Sequence, residues 1–143
     1  IKILLENTSG QGSSIGYNFE QLGYILDKLD GNFGICFDTA HFFQAGYNIK
    51  KFEIVKKDIE KFINLRYIKL VHANDSETDC GSKVDRHQHI GKGKIGIKGF
   101  EEIIKDEYFG SLPFIIETPK LSLKEDERNI RILRRIGEKY GKI

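Results

Sequence analysis

The chain has 143 residues, 39% of them apolar, with 23 Lys and Arg against 21 Asp and Glu for a net charge of +2, which is the balance of an ordinary globular domain. That charge is too small for a dedicated electrostatic nucleic-acid binder, and no apolar run approaches the length of a membrane helix. Cys36 and Cys80 lie far apart with no C-x-x-C, which argues against a disulfide framework and a thiolate zinc knuckle; two reduced thiols, as in a cytoplasmic-type protein, are expected.

In chain order, residues 2–6 form the first apolar, β-branched run and read as a strand. Phe19, Leu22, Ile25, Leu26 and Leu29 follow helical spacing after Asn18 as a cap. Residues 33–38 are a second strand, and Phe52, Val55, Ile59 and Phe62 mark a second helical face. Residues 67–72 form a third strand, and Phe100, Ile103 and Ile104 a shorter helix after Gly99. A fourth strand is predicted over 114–117, followed by the capping-box pattern Ser122-Leu123-Lys124-Glu125 and a helix through Ile130, Leu133 and Ile136. Arg128, Arg131, Arg134 and Arg135 make the stretch 120–143 basic, which reads as a solvated face or as a phosphate contact. Strand and helix alternating in this way imply βαβ units and a parallel sheet, so the fold class is α/β. Met is absent and the chain opens on Ile1, so it is expected to begin inside a longer protein. The loop over 74–99 is long for such a unit, and long ordered loops tend to carry function.

Each strand ends on a potential metal ligand: Glu6, Asp38, His72 and Glu117. Parallel strands bring their C-terminal ends to one mouth, where α/β barrels place their active sites. An acid capping one strand is a routine structural device, but four strand ends with a His among them are hard to assign to solubility. Gathered charges of this kind need compensation, and a divalent metal is the natural counterion. A mixed carboxylate and imidazole set suits zinc or manganese better than calcium.

Two clusters extend this set. Asp38-Thr39-Ala40-His41 places an imidazole in the loop after the second strand, and Asp85-Arg86-His87-Gln88-His89 adds an acid and two imidazoles. In an extended D-x-H segment, Asp85 and His87 point the same way. With His41 they would give three protein ligands and room for water, the pattern of a catalytic zinc. His41 is equally open to a structural reading, bonded to backbone, and His89 reads as supporting or structural. Arg86 is open to two readings, a phosphate contact or a surface ion pair. The glycine-rich segments 9–14 and 91–96 would allow close backbone approach to a phosphodiester or sugar, although neither fits a Walker or dinucleotide pattern.

Five motifs then resemble the endonuclease IV family in their order: Glu6-Asn7-Thr8-Ser9-Gly10-Gln11-Gly12; Phe37-Asp38-Thr39-Ala40-His41 with Ala45-Gly46-Tyr47; His72-Ala73-Asn74-Asp75-Ser76; Asp85-Arg86-His87-Gln88-His89-Ile90-Gly91; and Ile116-Glu117-Thr118-Pro119. They cover nearly the whole chain. The resemblance implies a TIM (β/α)8 barrel in which residues 1–143 are the C-terminal half, its last four βα units, with three zinc ions at the mouth. It implies that Glu6 bridges two zincs, that Asp38, His72 and Glu117 complete the second site, and that His41, Asp85 and His87 hold the third. It also implies hydrolysis of the phosphodiester 5′ to an abasic site in double-stranded DNA, with Glu6 orienting the nucleophile; Arg86, from its place between Asp85 and His87, is the candidate DNA contact. The full-length enzyme is expected to be a monomer without membrane contact, in the cytoplasm, nucleus or an organelle.

Two departures accompany the resemblance. The two first-zinc histidines that the family draws from earlier strands have no counterpart here, and Lys92 stands where the family has an acid in I-G-E-G. The isolated chain is therefore expected to be an open half barrel that self-associates and cleaves little. A metal-dependent sugar isomerase or epimerase of the same barrel type, using the four strand-end ligands around one ion, is the alternative enzyme. A noncatalytic fragment is the alternative outside enzymology.

Overall fold

In the computed structural model, which describes residues 1–120 and 122–142, the strands β1 (Ile3–Glu6), β2 (Phe33–Asp38), β3 (Ile68–His72) and β6 (Phe114–Ile115) form one parallel sheet. Its order is β1-β2-β3-β6, so β1 and β6 are its edges. The register places Glu6 beside Cys36, Asp38 beside His72, and His72 beside Ile115. The expected run of βα units is present, as α1 (Phe19–Lys28), α2 (Thr39–Ala45), α3 (Phe52–Glu60), α4 (Gly96–Lys105) and α5 (Leu123–Lys139) intervene. A two-stranded antiparallel hairpin, β4 (Asp75–Ser76) with β5 (His87–Gln88), lies inside the long third loop.

The helices sit where caps and periodicity put them. The Asn18 side chain accepts from the Gln21 N–H at 2.8 Å and opens α1, and the Ser122 N–H donates to Glu125 Oε2 at 3.1 Å in the expected capping box. Phe19 and Leu22 of α1 and Phe52, Val55 and Ile59 of α3 are buried. With Ile35 and Phe37 of β2 they form the core, where Phe37 meets the rings of Phe42 and Phe109 at 4.8 and 5.2 Å. Burying one such ring stabilises the fold by about 1.5–3 kcal/mol. Side chains alternate along a strand, so while Ile35 and Phe37 face the helices, Cys36 and Asp38 face the inner side of the sheet.

The structure amends four local expectations. Asp38 caps a helix as well as ending a strand, so His41 lies in α2 and not in a loop. That helix stops at Gly46, whose φ of 116° is open to glycine but disfavoured for other residues. Helix α3 ends at Glu60, which turns Phe62 off the apolar face and leaves it 50% exposed. Helix α4 starts at Gly96, ahead of Gly99, and the fourth strand pairs only over Phe114–Ile115. An edge strand has one neighbour to hold its ladder, and residues 116–117 run past the end of β3. Of the basic C-terminal stretch, Leu121 and Ile143 lie outside the described residues.

Candidate metal centre

The register alone gathers the strand ends. Asp38 and His72 are paired neighbours, Glu6 ends the strand on one side, and Glu117 follows the strand on the other. His72 Nδ1 lies 3.1 Å from Glu6 Oε1 and 3.1 Å from Glu117 Oε2, and 4.0 Å from Asp38 Oδ2. Glu6, Asp38, His72 and Glu117 each offer a ligand atom within 4.8 Å of all the others. His41, Asp85 and His87 form a second gathering beside the first. His41 Nε2 lies 3.3 Å from Asp85 Oδ2 and 3.2 Å from His87 Nε2, and His87 Nε2 is 3.6 Å from Asp85 Oδ1. Asp38 stands between the two sets, with its Oδ2 4.0 Å from His87 Nε2, and it groups with His41 and His87 as readily as with the strand-end quartet.

Backbone carbonyls aim the two imidazoles. His41 Nδ1 is 2.9 Å from the Asn7 carbonyl and His87 Nδ1 is 3.1 Å from the Glu117 carbonyl. A carbonyl only accepts, so each Nδ1 carries the hydrogen and each Nε2 is left with a lone pair. Two such nitrogens at 3.2 Å need either a proton on one of them or a metal cation between them. Nitrogens at about 2.05 Å from one tetrahedral zinc would stand about 3.3 Å apart, so the pair fits that ion. Burial disfavours protonation of His41, but Asp38, Asp85, the Asn7 carbonyl and Glu6 outweigh it and raise its pKa above the ordinary value. The same crowd of acids would welcome a cation. Burial first, then Glu6 and Asp38, push the Cys36 thiol up to about 12.

Asn7 and Asn74 hold the ligands in place. Buried Asn7 brackets the Asp38 backbone, accepting its N–H at 2.7 Å and donating to its carbonyl at 3.0 Å. Asn74, also buried, donates to Asp38 Oδ2 at 2.6 Å and accepts the Glu117 N–H at 2.7 Å. The second carboxylate oxygen of Asp38 accepts the His41 N–H at 2.7 Å. Gln11, in the first glycine-rich loop, accepts the Asp85 N–H at 2.8 Å through Oε1. Both asparagines and Gln11 occur in the motifs read from the sequence, but nothing in their local pattern announced these long-range partners.

Other expectations resolve differently. Arg86 is exposed and donates to the Asp85 carbonyl at 2.7 Å, with no ion pair among the described residues. His89 is structural, its Nδ1 3.1 Å from Asn129 Nδ2 in a network that includes Thr118. The glycine-rich segment 91–96 does not present its amides to a ligand. They close on Asp75, which is fully buried: Gly91 and Gly93 donate to Oδ2 at 2.9 and 3.0 Å, and Ile95 and Gly96 to Oδ1 at 3.0 and 3.2 Å. Lys92 is exposed and joins this turn through its N–H, which donates to the His89 carbonyl at 2.9 Å.

Known proteins share this arrangement of elements. A family model described as "Xylose isomerase-like TIM barrel" matches residues 1–136. The chain is 47% identical to a "Probable endonuclease 4" of Aquifex aeolicus (strain VF5), over 94% of this chain and 49% of the relative. It is 44% identical to an "Apurinic-apyrimidinic endonuclease" of Caenorhabditis elegans, over 88% of this chain and 33% of that protein. Among solved structures, endonuclease IV from Thermus thermophilus superposes with a TM-score of 0.85 at 34% identity, covering 96% of this chain and 50% of that one. The chain therefore spans about half the length of the Aquifex and Thermus relatives.

Proposed function

The chain belongs to the xylose isomerase-like TIM barrel family, and on that premise we propose that its rim is part of the zinc centre of a DNA-repair endonuclease acting at abasic sites. The observation that carries the proposal is the pair of Nε2 atoms of His41 and His87 at 3.2 Å, each aimed by a carbonyl at Nδ1, beside a quartet of converging ligands.

Glu6, Asp38, His72 and Glu117 would hold one divalent ion, and His41, Asp85 and His87 another; zinc suits both sets, and manganese the more oxygen-rich one. Such ions, when bound, lower the pKa of water and offset charge on a phosphoryl group. Glu6 Oε1, which faces His72 and His41 at 3.1 and 3.5 Å, would orient an attacking water beside the phosphodiester. The exposed guanidinium of Arg86 would meet a backbone phosphate of double-stranded DNA. A nucleotide without its base unstacks at low cost, which favours entry of the abasic sugar into the mouth.

In this reading residues 1–143 are the C-terminal half of a barrel domain, and full activity needs the strands that would close it. An isomerase of the same barrel type would use the quartet alone; the second set, His41 and His87 with Asp85 at 3.3 and 3.6 Å, favours the nuclease. A zinc count and a nicking assay on abasic duplex DNA, run on this chain and on a full-length polypeptide carrying it, test the proposal. Two ions held by this chain and abasic-site nicking by the full-length protein are expected. Sugar isomerisation, or zinc held by the quartet only, would contradict it.

A further inference from the structure

We propose that Asp75 is a positioning residue for His87 and Asp85, which rests for its metal readout on the reading of their pocket as an ion site. Asp75 is fully buried, yet it forms no ion pair among the described residues. Its compensation is a shell of backbone amides: Ser76, Gly91, Gly93, Ile95 and Gly96 all donate to its two oxygens at 2.8–3.2 Å. Oriented N–H dipoles around a carboxylate form an anion nest, normally a place for a phosphate. Here the chain fills its own nest.

The glycines are what allow it. A Cβ on Gly93 would collide with the Ser76 carbonyl and with Asp75 Oδ1, and Gly91 and Gly96 have φ of 78° and 66°. The carboxylate thereby ties the segment 91–96 to the first residue of β4. The other strand of that hairpin carries His87: Asp75 pairs with Gln88, and Ser76 with His87. The Lys94 N–H donates to the Ser76 carbonyl at 2.7 Å, and the Glu77 N–H to the Arg86 carbonyl at 3.1 Å. The loop that brings His87 and Asp85 against His41 is thus pinned at its base by Asp75, while Gln44 holds its far side by donating to Ser76 Oγ and the Arg86 carbonyl at 3.0 and 2.9 Å. Glu6, Asp38 and His72 sit on the main sheet, whereas Glu117 meets the hairpin through its carbonyl, 3.1 Å from His87 Nδ1.

Asp75→Asn replaces one accepting oxygen with an NH2 that faces N–H donors, so the nest opens on one side. Loss of a group that orients a ligand typically lowers metal affinity about 10–100-fold, and Asp75 would act on that scale through the hairpin backbone. The test is zinc titration of wild type and Asp75→Asn, with histidine 15N spectra and amide exchange of the metal-free proteins. The expected result is a 10–100-fold weaker equivalent at His41, Asp85 and His87, a quartet equivalent weakened several-fold less because its one tie to the hairpin is the Glu117 carbonyl, a displaced His87 signal with His72 unmoved, and lost protection at Gly91, Gly93, Ile95 and Gly96. Gly93→Ala, which attacks the same contact from the loop side, is expected to reproduce the pattern and stands in should Asp75→Asn not fold. Equal affinities and an unmoved His87 signal overturn the proposal, as does parallel weakening of both equivalents. If wild type takes up no zinc at the histidine pair while His87 still shifts in the variant, the metal reading fails and the positioning role stands.

Discussion

His41 Nε2 and His87 Nε2 face each other at 3.2 Å although 46 residues separate them in the chain. Removing one lone pair removes the reason for a cation there. His87→Ala is expected to abolish the zinc equivalent held with His41 and Asp85. His87 lies outside the hydrophobic core, so its removal should cost folding about 1 kcal/mol, the scale of its one bond to the Glu117 carbonyl. Zinc titration and urea unfolding read the two effects separately. A loss of stability matching the loss of zinc would make His87 a structural residue.

Asn74 is the buried link between two ligands, holding the Asp38 carboxylate and the Glu117 backbone. Asn74→Ala would leave a carboxylate oxygen and an amide without partners in the interior. Each unsatisfied group costs about 1–3 kcal/mol, so a clear fall in the denaturant midpoint is expected. An unchanged midpoint would show that water replaces the amide at no cost and that the link is dispensable.

These asparagines mark the boundary of what the sequence disclosed. Glu6, Asp38, His72 and Glu117 were legible because each ends an apolar run, and period-two and 3.6-residue patterns are local signals. The parallel order of the strands followed from their alternation with helices. Asn7, Asn74, Gln11 and Asp75 act through partners up to 74 residues away, as Gln11 does with Asp85, and no local pattern encodes such a contact. The helix Thr39–Ala45 was hidden because Asp38 serves two elements at once and Phe42 and Phe43 sit adjacent. The glycines of 91–96 suggested an external anion because nothing nearby revealed that Asp75 would occupy them.

The two thiols should differ sharply. Cys36 is 3% exposed and its pKa is pushed to about 12, first by burial and then by Glu6 and Asp38, whereas Cys80 is exposed. A thiol reagent at pH 8 is expected to modify one cysteine of the folded chain promptly and the second only on unfolding. Rapid reaction of both in the native protein would mean that the inner face of the sheet opens readily.

The sheet edges carry the consequence of an open barrel. Ile3 on β1 is 56% exposed and Ile115 on β6 is 49% exposed, each on a strand with a single neighbour. Unpaired edges with apolar side chains favour association. Sedimentation of this chain should show species larger than 16.4 kDa that grow with concentration, and Ile115→Lys should reduce them. A monomer at every concentration would contradict the expectation.

Cleavage of a duplex bearing one abasic site measures the central claim most directly. A full-length polypeptide carrying this chain, loaded with zinc, should cut on the 5′ side of the abasic nucleotide. Glu6→Gln should slow that cut by about 100-fold or more, the scale of losing one group acting in the transition state. Zinc chelation should abolish the cut, and residues 1–143 alone should cleave little. No cut at the abasic site, or a cut indifferent both to Glu6→Gln and to chelation, would contradict the assignment of this rim to abasic-site hydrolysis.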